Sequence, residues 1–106
     1  MREIDVHELQ SLLLTDRGSV ELVDVREPWE VAKCSIEGSR PVPMGEIAAR
    51  LGELDPDRPT VLICHHGARS MQVALWLAQQ GFTEVINLRG GIDAWARSVD
   101  PAMPVY

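Results

Sequence analysis

Cysteine is scarce in this chain: Cys34 and Cys64 are the only two among 106 residues, and no Cys-x-x-Cys spacing occurs. A disulfide framework is therefore excluded as the organising device, and both residues are read as thiols. Long apolar runs are also missing. No stretch approaches the roughly 18 consecutive apolar residues that a membrane-spanning helix needs. Positive charge is in short supply, with ten Lys and Arg against sixteen Asp and Glu and a net charge of −6. That balance argues against nucleic acid or an anionic membrane as partner. An anionic substrate would have to be drawn in by a local field, which directs attention to arginines and backbone amides inside a pocket. Met1-Arg2-Glu3-Ile4-Asp5 carries neither an apolar run nor a small-residue cleavage site. No secretory leader is expected from it, and a reducing cytoplasm is the expected setting. Internal repeats and low-complexity tracts are absent.

What is present is ordinary globular composition, 45% hydrophobic and 25% charged. A chain of this size is expected to form one domain over residues 1–106 and to bury roughly 60 to 70% of its unfolded surface. Short β-type runs alternate with helical stretches. Asp5-Val6-His7-Glu8 has the form of a capping box and is followed by Leu9, Leu12 and Leu13 at helical spacing. Glu21 to Val25 reads as a strand buried on both faces. Glu27 to Ala32, with Pro28 at a first helical position, predicts a short helix. Arg40 to Pro43 is limited by its prolines to a brief extended piece. Glu46 to Leu54 reads as a helix with Ile47, Leu51 and Leu54 inward. Thr60 to Ile63 is the clearest strand and Ser70 to Gln80 the clearest helix, with Met71, Ala74, Leu75 and Ala78 at core spacing and Gly81 beyond its end. Val85 to Leu88 is another strand, Gly90-Gly91 introduces a helical turn over Ile92 to Arg97, and Pro101 and Pro104 mark an irregular tail. This rhythm predicts βαβ units, a mostly parallel sheet covered on both faces, and right-handed crossovers.

The chemistry concentrates in Cys64-His65-His66-Gly67-Ala68-Arg69-Ser70. A cysteine leaves the end of the clearest strand, where ligands of open α/β sheets bind, and the clearest helix begins directly after. A tight loop there aims amide N–H groups inward, and the helix adds the positive end of its dipole. Such a cradle favours a thiolate, a persulfide or a sulfonate-like group. Gly67 permits the tight backbone, and Arg69 offers a fixed positive charge with planar donors. Cys64 read alone is as well explained as a buried strand-end cysteine.

These residues resemble the rhodanese-homology domains, whose active-site loop opens with the sulfur-carrying cysteine. Upstream, Leu22-Val23-Asp24-Val25-Arg26-Glu27-Pro28 is similar to the family's Asp-x-Arg strand-end motif. Downstream, Gly81-Phe82 and Leu88-Arg89-Gly90-Gly91-Ile92-Asp93-Ala94-Trp95 resemble its closing segment. The resemblance runs from about Ile4 to Trp95. It implies a rhodanese-like α/β fold, a central five-stranded parallel sheet flanked by helices. It also implies a thiosulfate sulfurtransferase type of activity without cofactor or metal. Cys64 would take a sulfane sulfur from a small sulfur-containing anion such as thiosulfate and pass it to cyanide, a thiol or a sulfur-carrier protein. The loop from His65 to Ser70 would bind the persulfide, Arg69 would anchor the donor, and Asp24 with Arg26 would support the loop. Cys64-x4-Arg69 is one residue shorter than the Cys-x5-Arg loop of phosphatases sharing this fold, which favours sulfur over phosphate. Where many members read Gly-His-Ile-Pro-Gly-Ala, this chain has Cys34-Ser35-Ile36-Glu37-Gly38-Ser39. The tail Pro101 to Tyr106 resembles that of rhodanese domains fused to sulfur-activating adenylyltransferases, which hints at sulfur relay.

Other residues admit two readings. His65 and His66 beside Cys64 invite a metal, but adjacent loop residues rarely aim at one ion and no further ligand lies nearby in sequence. Lining the pocket mouth, facing water, or assisting a thiolate as cations are the alternatives. Cys34 is either a resolving cysteine or a loop thiol. Asp24 and Arg26 either pair or leave Arg26 in solvent. Glu27 has no general-base task. Trp29, Trp76 and Trp95 read as packing, although Trp29, Met44 and Met71 could form a patch for a protein or lipophilic acceptor. The rival from another class is a non-catalytic or redox-sensing rhodanese module that binds a protein partner; the intact Cys64 and Arg69 speak against it.

Overall fold

A computed structural model describes residues Met1–Tyr106. Strand β1 (Arg2–Ile4) leads to helix α1 (Val6–Asp16), β2 (Glu21–Asp24), α2 (Pro28–Val31) and β3 (Arg40–Pro41). Then follow β4 (Thr60–Ile63), α3 (Ala68–Gln79), β5 (Val85–Leu88) and α4 (Gly91–Ser98). The strands form one five-stranded sheet in the order β1-β5-β4-β2-β3, and every neighbouring pair is parallel. The expected sheet is thus the one observed.

Strands β2, β4 and β5 occupy the middle. β4 and β5 are buried at every position, as a strand covered on both faces must be. The period of two sorts their side chains. Val61, Ile63, Ile86 and Leu88 pack with Leu9 of α1 and Ile92 and Trp95 of α4 on one face. Leu62, Cys64 and Val85 pack with Val73, Ala74 and Leu77 of α3 on the other. Cys64 therefore continues the α3-facing row of β4. Asp5 caps α1 as the sequence implies, its carboxylate accepting the Glu8 N–H at 2.8 Å while Glu8 returns to the Asp5 N–H.

Four readings change. β1, unseen in the sequence, is a short edge strand with only Ile4 buried, too brief and too charged to show an apolar run. The helix expected over Glu46 to Leu54 is instead a pair of short 3-10 turns, Met44–Glu46 and Leu51–Glu53. Gly45 and Gly52 lower helix propensity there, while Ile47 and Leu54 still reach the core. α3 begins at Ala68, so the cysteine loop is shorter than expected. Its buried face runs Ser70, Val73, Ala74 and Leu77, leaving Leu75 and Ala78 outward. Ser70 faces inward toward Cys64, and that contact sets the phase of the helix.

Candidate active site

The main chain turns at the end of β4 because α4 grips it. The amides of Ile92 and Asp93 donate to the carbonyls of Cys64 and His65 at 2.9 and 3.0 Å. The loop's oxygens are thereby drawn toward the N-terminus of α4, which suits the dipole there. Gly91 makes this approach feasible: its φ is +59°, and a Cβ would run into those same carbonyls. Gly67, at φ +108°, closes the loop against the Gly90 amide and directs its own N–H at the Cys64 Sγ, 3.1 Å away.

A second partner of the sulfur is Ser70, whose Oγ lies 3.2 Å from Sγ. Ser70 also meets Asn87 Oδ1 at 2.5 Å, and Asn87 Nδ2 donates to Gly67 O at 3.2 Å and to Glu3 Oε2 at 2.9 Å. A neutral chain of hydrogen bonds thus runs from the buried sulfur through β5 to a surface carboxylate on β1. The first-turn amides of α3, Ala68 to Ser70, have no intrahelical acceptor.

On the other side lies an ionic network. Arg26 is fully buried and clamps Asp24, with Nη2 to Oδ2 at 2.8 Å, while Nη2 also donates to Cys34 O at 2.7 Å. Burial opposes the Arg26 charge, but its bonds to Asp24 and Tyr106 outweigh that and hold the guanidinium more firmly protonated than usual. Of the two readings of Asp24 and Arg26, the ion pair is the one observed. Arg26 Nη1 donates to Tyr106 Oη, and Tyr106 donates to Glu30 Oε2, both at 2.8 Å. Glu30 receives both terminal nitrogens of Arg69 at 2.7 and 2.8 Å and the Glu27 N–H at 3.0 Å. The Arg69 bonds are the main cause that brings the Glu30 carboxyl down to about 2. Burial is the main cause that pushes the Tyr106 phenol up to about 12.

Arg69, the expected anchor for an anion, does not stand alone: Glu30 pairs its guanidinium bidentately. The histidines divide. His66 is exposed, and His65 is half-buried between the His66 and Tyr106 rings, with centroids 4.0 Å away on each side. Burial, then the neighbouring His66, pull His65 below its ordinary value, so it is a poor candidate for a cation assisting a thiolate. Asp93 brings a carboxylate to the pair, the three ligating atoms lying within 4.8 Å of one another. Stacked imidazoles do not direct their lone pairs at one point, however, and Asp93 is already held by Arg97 at 3.0 Å. Cys34 packs on the α1 and α4 face and Cys64 on the α3 face, so the sheet separates the two thiols. The residues of the expected aromatic and methionine patch have these surroundings. Trp29 stands edge-on to Tyr106, whereas Met44 lines an apolar groove of about 300 Å³ with Ile47, Val73 and Trp76.

Glu30, Asn87, Asp93 and Tyr106 were not singled out by the sequence. Asn87 did leave a signal, a lone amide inside the apolar run Val85 to Leu88, and Glu30 sits three residues after Glu27 in a second capping box. Tyr106 left none.

Fold and site together define a class: parallel α/β proteins that present one cysteine sulfur at a strand end, in a glycine-closed loop at a helix N-terminus. The family profile described as rhodanese-like domain matches residues 5–98. The chain belongs to the rhodanese-like domain family. It is 46% identical over 97 residues to a protein named sulfurtransferase from Allochromatium vinosum, covering 92% of this chain and 90% of that one. It is 39% identical over 93 residues to the thiosulfate sulfurtransferase GlpE of Pseudomonas aeruginosa, covering 88% and 83%. Among solved structures, a rhodanese-like domain protein from Staphylococcus aureus superposes with a TM-score of 0.86 at 29% identity, over 100% of this chain and 99% of that one. No helix is long and apolar enough to cross a membrane.

Proposed function

We propose that the chain is a sulfurtransferase that carries sulfane sulfur as a persulfide on Cys64. The observation that carries this reading is the placement of Sγ, buried at the end of β4 and met by the Gly67 N–H and the Ser70 hydroxyl where α3 begins. The names of the sulfurtransferase relatives support the same chemistry.

The reaction is a double displacement. The Cys64 thiolate attacks the outer sulfur of a donor such as thiosulfate, a new S–S bond forms, and sulfite leaves with the electron pair of the broken one. The terminal persulfide sulfur then accepts attack by cyanide, a thiol or a sulfur-carrier protein, and the Cys64 thiolate is regenerated. No general base is needed once the thiolate is formed. Because Glu30 compensates Arg69, the donor's negative charge meets the unpartnered first-turn amides of α3 and its dipole. Of the rest of the loop, Gly67 holds the sulfur and His65 walls it off beside Tyr106, while His66 faces outward to the acceptor.

Intact mass of the reduced protein after thiosulfate, for the parent and for Cys64→Ser, tests the reading. A gain of one sulfur on the parent alone, discharged by cyanide as thiocyanate, is the expected result. No gain from thiosulfate or from a persulfide donor would remove the carrier function.

A further inference from the structure

We propose that Asn87 is a positioning residue for the Cys64 sulfur, acting through the Ser70 hydroxyl. The proposal deepens the persulfide-carrier reading and rests on it for what the sulfur is used for.

The donors and acceptors around Asn87 and Ser70 can each be assigned a partner. Asn87 can stand only one way round. Its Nδ2 lies 3.2 Å from Gly67 O and 2.9 Å from Glu3 Oε2, both acceptors, so an inverted amide would set oxygen against oxygen twice. Oδ1 therefore faces Ser70 Oγ at 2.5 Å and must accept from it. The Ser70 hydroxyl has one proton and three acceptors in reach: Asn87 Oδ1, Cys64 Sγ at 3.2 Å and Gly67 O at 3.3 Å. Gly67 O is already occupied by the Met71 N–H and by Asn87. Between the other two, the nearer oxygen outcompetes a thiol sulfur. In the resting protein the proton points to Asn87, and a lone pair of Ser70 faces the sulfur.

A thiolate then finds only the Gly67 N–H donating to it, unless Ser70 abandons Asn87 and leaves Oδ1 buried without a donor. Asn87 thus withholds one hydrogen bond from the ionised sulfur. The thiolate is populated less and reacts faster once formed, since nucleophilicity falls as a thiolate is stabilised. Removing the Asn87 amide frees Ser70 to donate to Sγ. The charged groups that surround this exchange are Glu3 from β1, the Asp24–Arg26 pair from β2, the Glu30–Arg69 pair from α2 and α3, His65 and His66 from the loop, and Asp93 from α4. None of them bonds Ser70 directly, so the exchange is local.

The test is the rate of Cys64 alkylation by iodoacetamide across pH, in a Cys34→Ser background so that one thiol reports. Asn87→Ala is expected to give a profile that crosses that of the parent. If the freed hydroxyl raises the thiolate population about tenfold, alkylation becomes about threefold faster on the acid side and about threefold slower on the alkaline plateau. Adding Ser70→Ala is expected to abolish the crossing. Asn87→Val, a strand-forming substitute, repeats the design should the alanine variant fold poorly. An unchanged profile for both variants, or a crossing that survives the loss of Ser70, overturns the proposal. Thiosulfate loading is scored in parallel. Failure of the parent to load, with the crossing intact, counts against the carrier function and for Asn87; normal loading without the crossing counts against Asn87 alone.

Discussion

Two polar networks flank the Cys64 loop, and they are built from opposite materials. On the β2 and α2 side, Asp24, Arg26, Tyr106, Glu30 and Arg69 form a relay in which four of five members carry charge. On the β5 and β1 side, Ser70 and Asn87 are neutral, and charge enters only at Glu3 on the surface. In the ionic relay each guanidinium faces a carboxylate, Arg26 on Asp24 and Arg69 on Glu30, so both cations are held by a full opposite charge. The neutral chain has one hydroxyl proton with two acceptors in competition. Rigidity is placed where the loop is anchored, and a choice of hydrogen bond is placed where the sulfur changes charge.

The comparison breaks most severely at Arg26. Replacing it with methionine leaves Asp24 buried beside apolar groups, and breaking a buried pair costs about 3 to 5 kcal/mol. Urea unfolding of Arg26→Met should show that loss. Adding Asp24→Leu should recover most of it, because an apolar pair of similar volume removes the orphaned charge. Recovery would show that the pair serves geometry more than net stability. The next largest effect falls on Glu30. Glu30→Gln keeps the shape but releases Arg69, which is 36% exposed and can turn to water. A loss of about 2 kcal/mol by the same measurement is expected, in the range for hydrogen bonds to charged groups.

The acid limb sharpens the same point. The carboxyl of Glu30 titrates near 4.5 when unfolded and at about 2 in the folded chain. A depressed folded value contributes stability that is complete above 4.5 and disappears as pH falls toward 2. Stability of the parent should therefore decline across that window, and the decline should be shallower in Glu30→Gln. An equal decline in both would show that other carboxylates govern acid unfolding.

The division between what the sequence disclosed and what it withheld follows these networks. Thr60 to Ile63, Val85 to Leu88 and the Cys64 loop were legible because backbone constraints write them locally: apolar runs for two-faced burial, Gly67 for a positive φ. The Asp24–Arg26 pair was half-legible, as two residues on one strand end whose partner choice depends on burial. Glu46 to Leu54 misled because apolar spacing survives in the two 3-10 turns, whose glycines Gly45 and Gly52 lower helix propensity. The union of Glu30 with Arg69 spans 39 positions and that of Arg26 with Tyr106 spans 80, and no local pattern announces either. That is why the sequence shows Arg69 without its partner Glu30.

Tyr106 gives the smallest effect and separates its two roles. Its ring stacks on His65 at 4.0 Å and its hydroxyl joins Arg26 to Glu30. Tyr106→Phe retains the ring and removes the hydroxyl, so Arg26 and Glu30 each lose one partner while keeping their stronger ionic ones. A loss of about 1 kcal/mol is expected, the usual net contribution of a hydrogen bond. The phenol is raised from 10.0 to about 12 in the folded chain, a shift that contributes stability below 10 and loses it as pH rises through 12. Urea midpoints compared at neutral pH and across that alkaline window should show the parent losing ground where Tyr106→Phe does not. If the phenylalanine variant falls in parallel with the parent, the hydroxyl is not a working member of the relay. The contribution of Tyr106 would then be its ring, closing over His65 beside the sulfur.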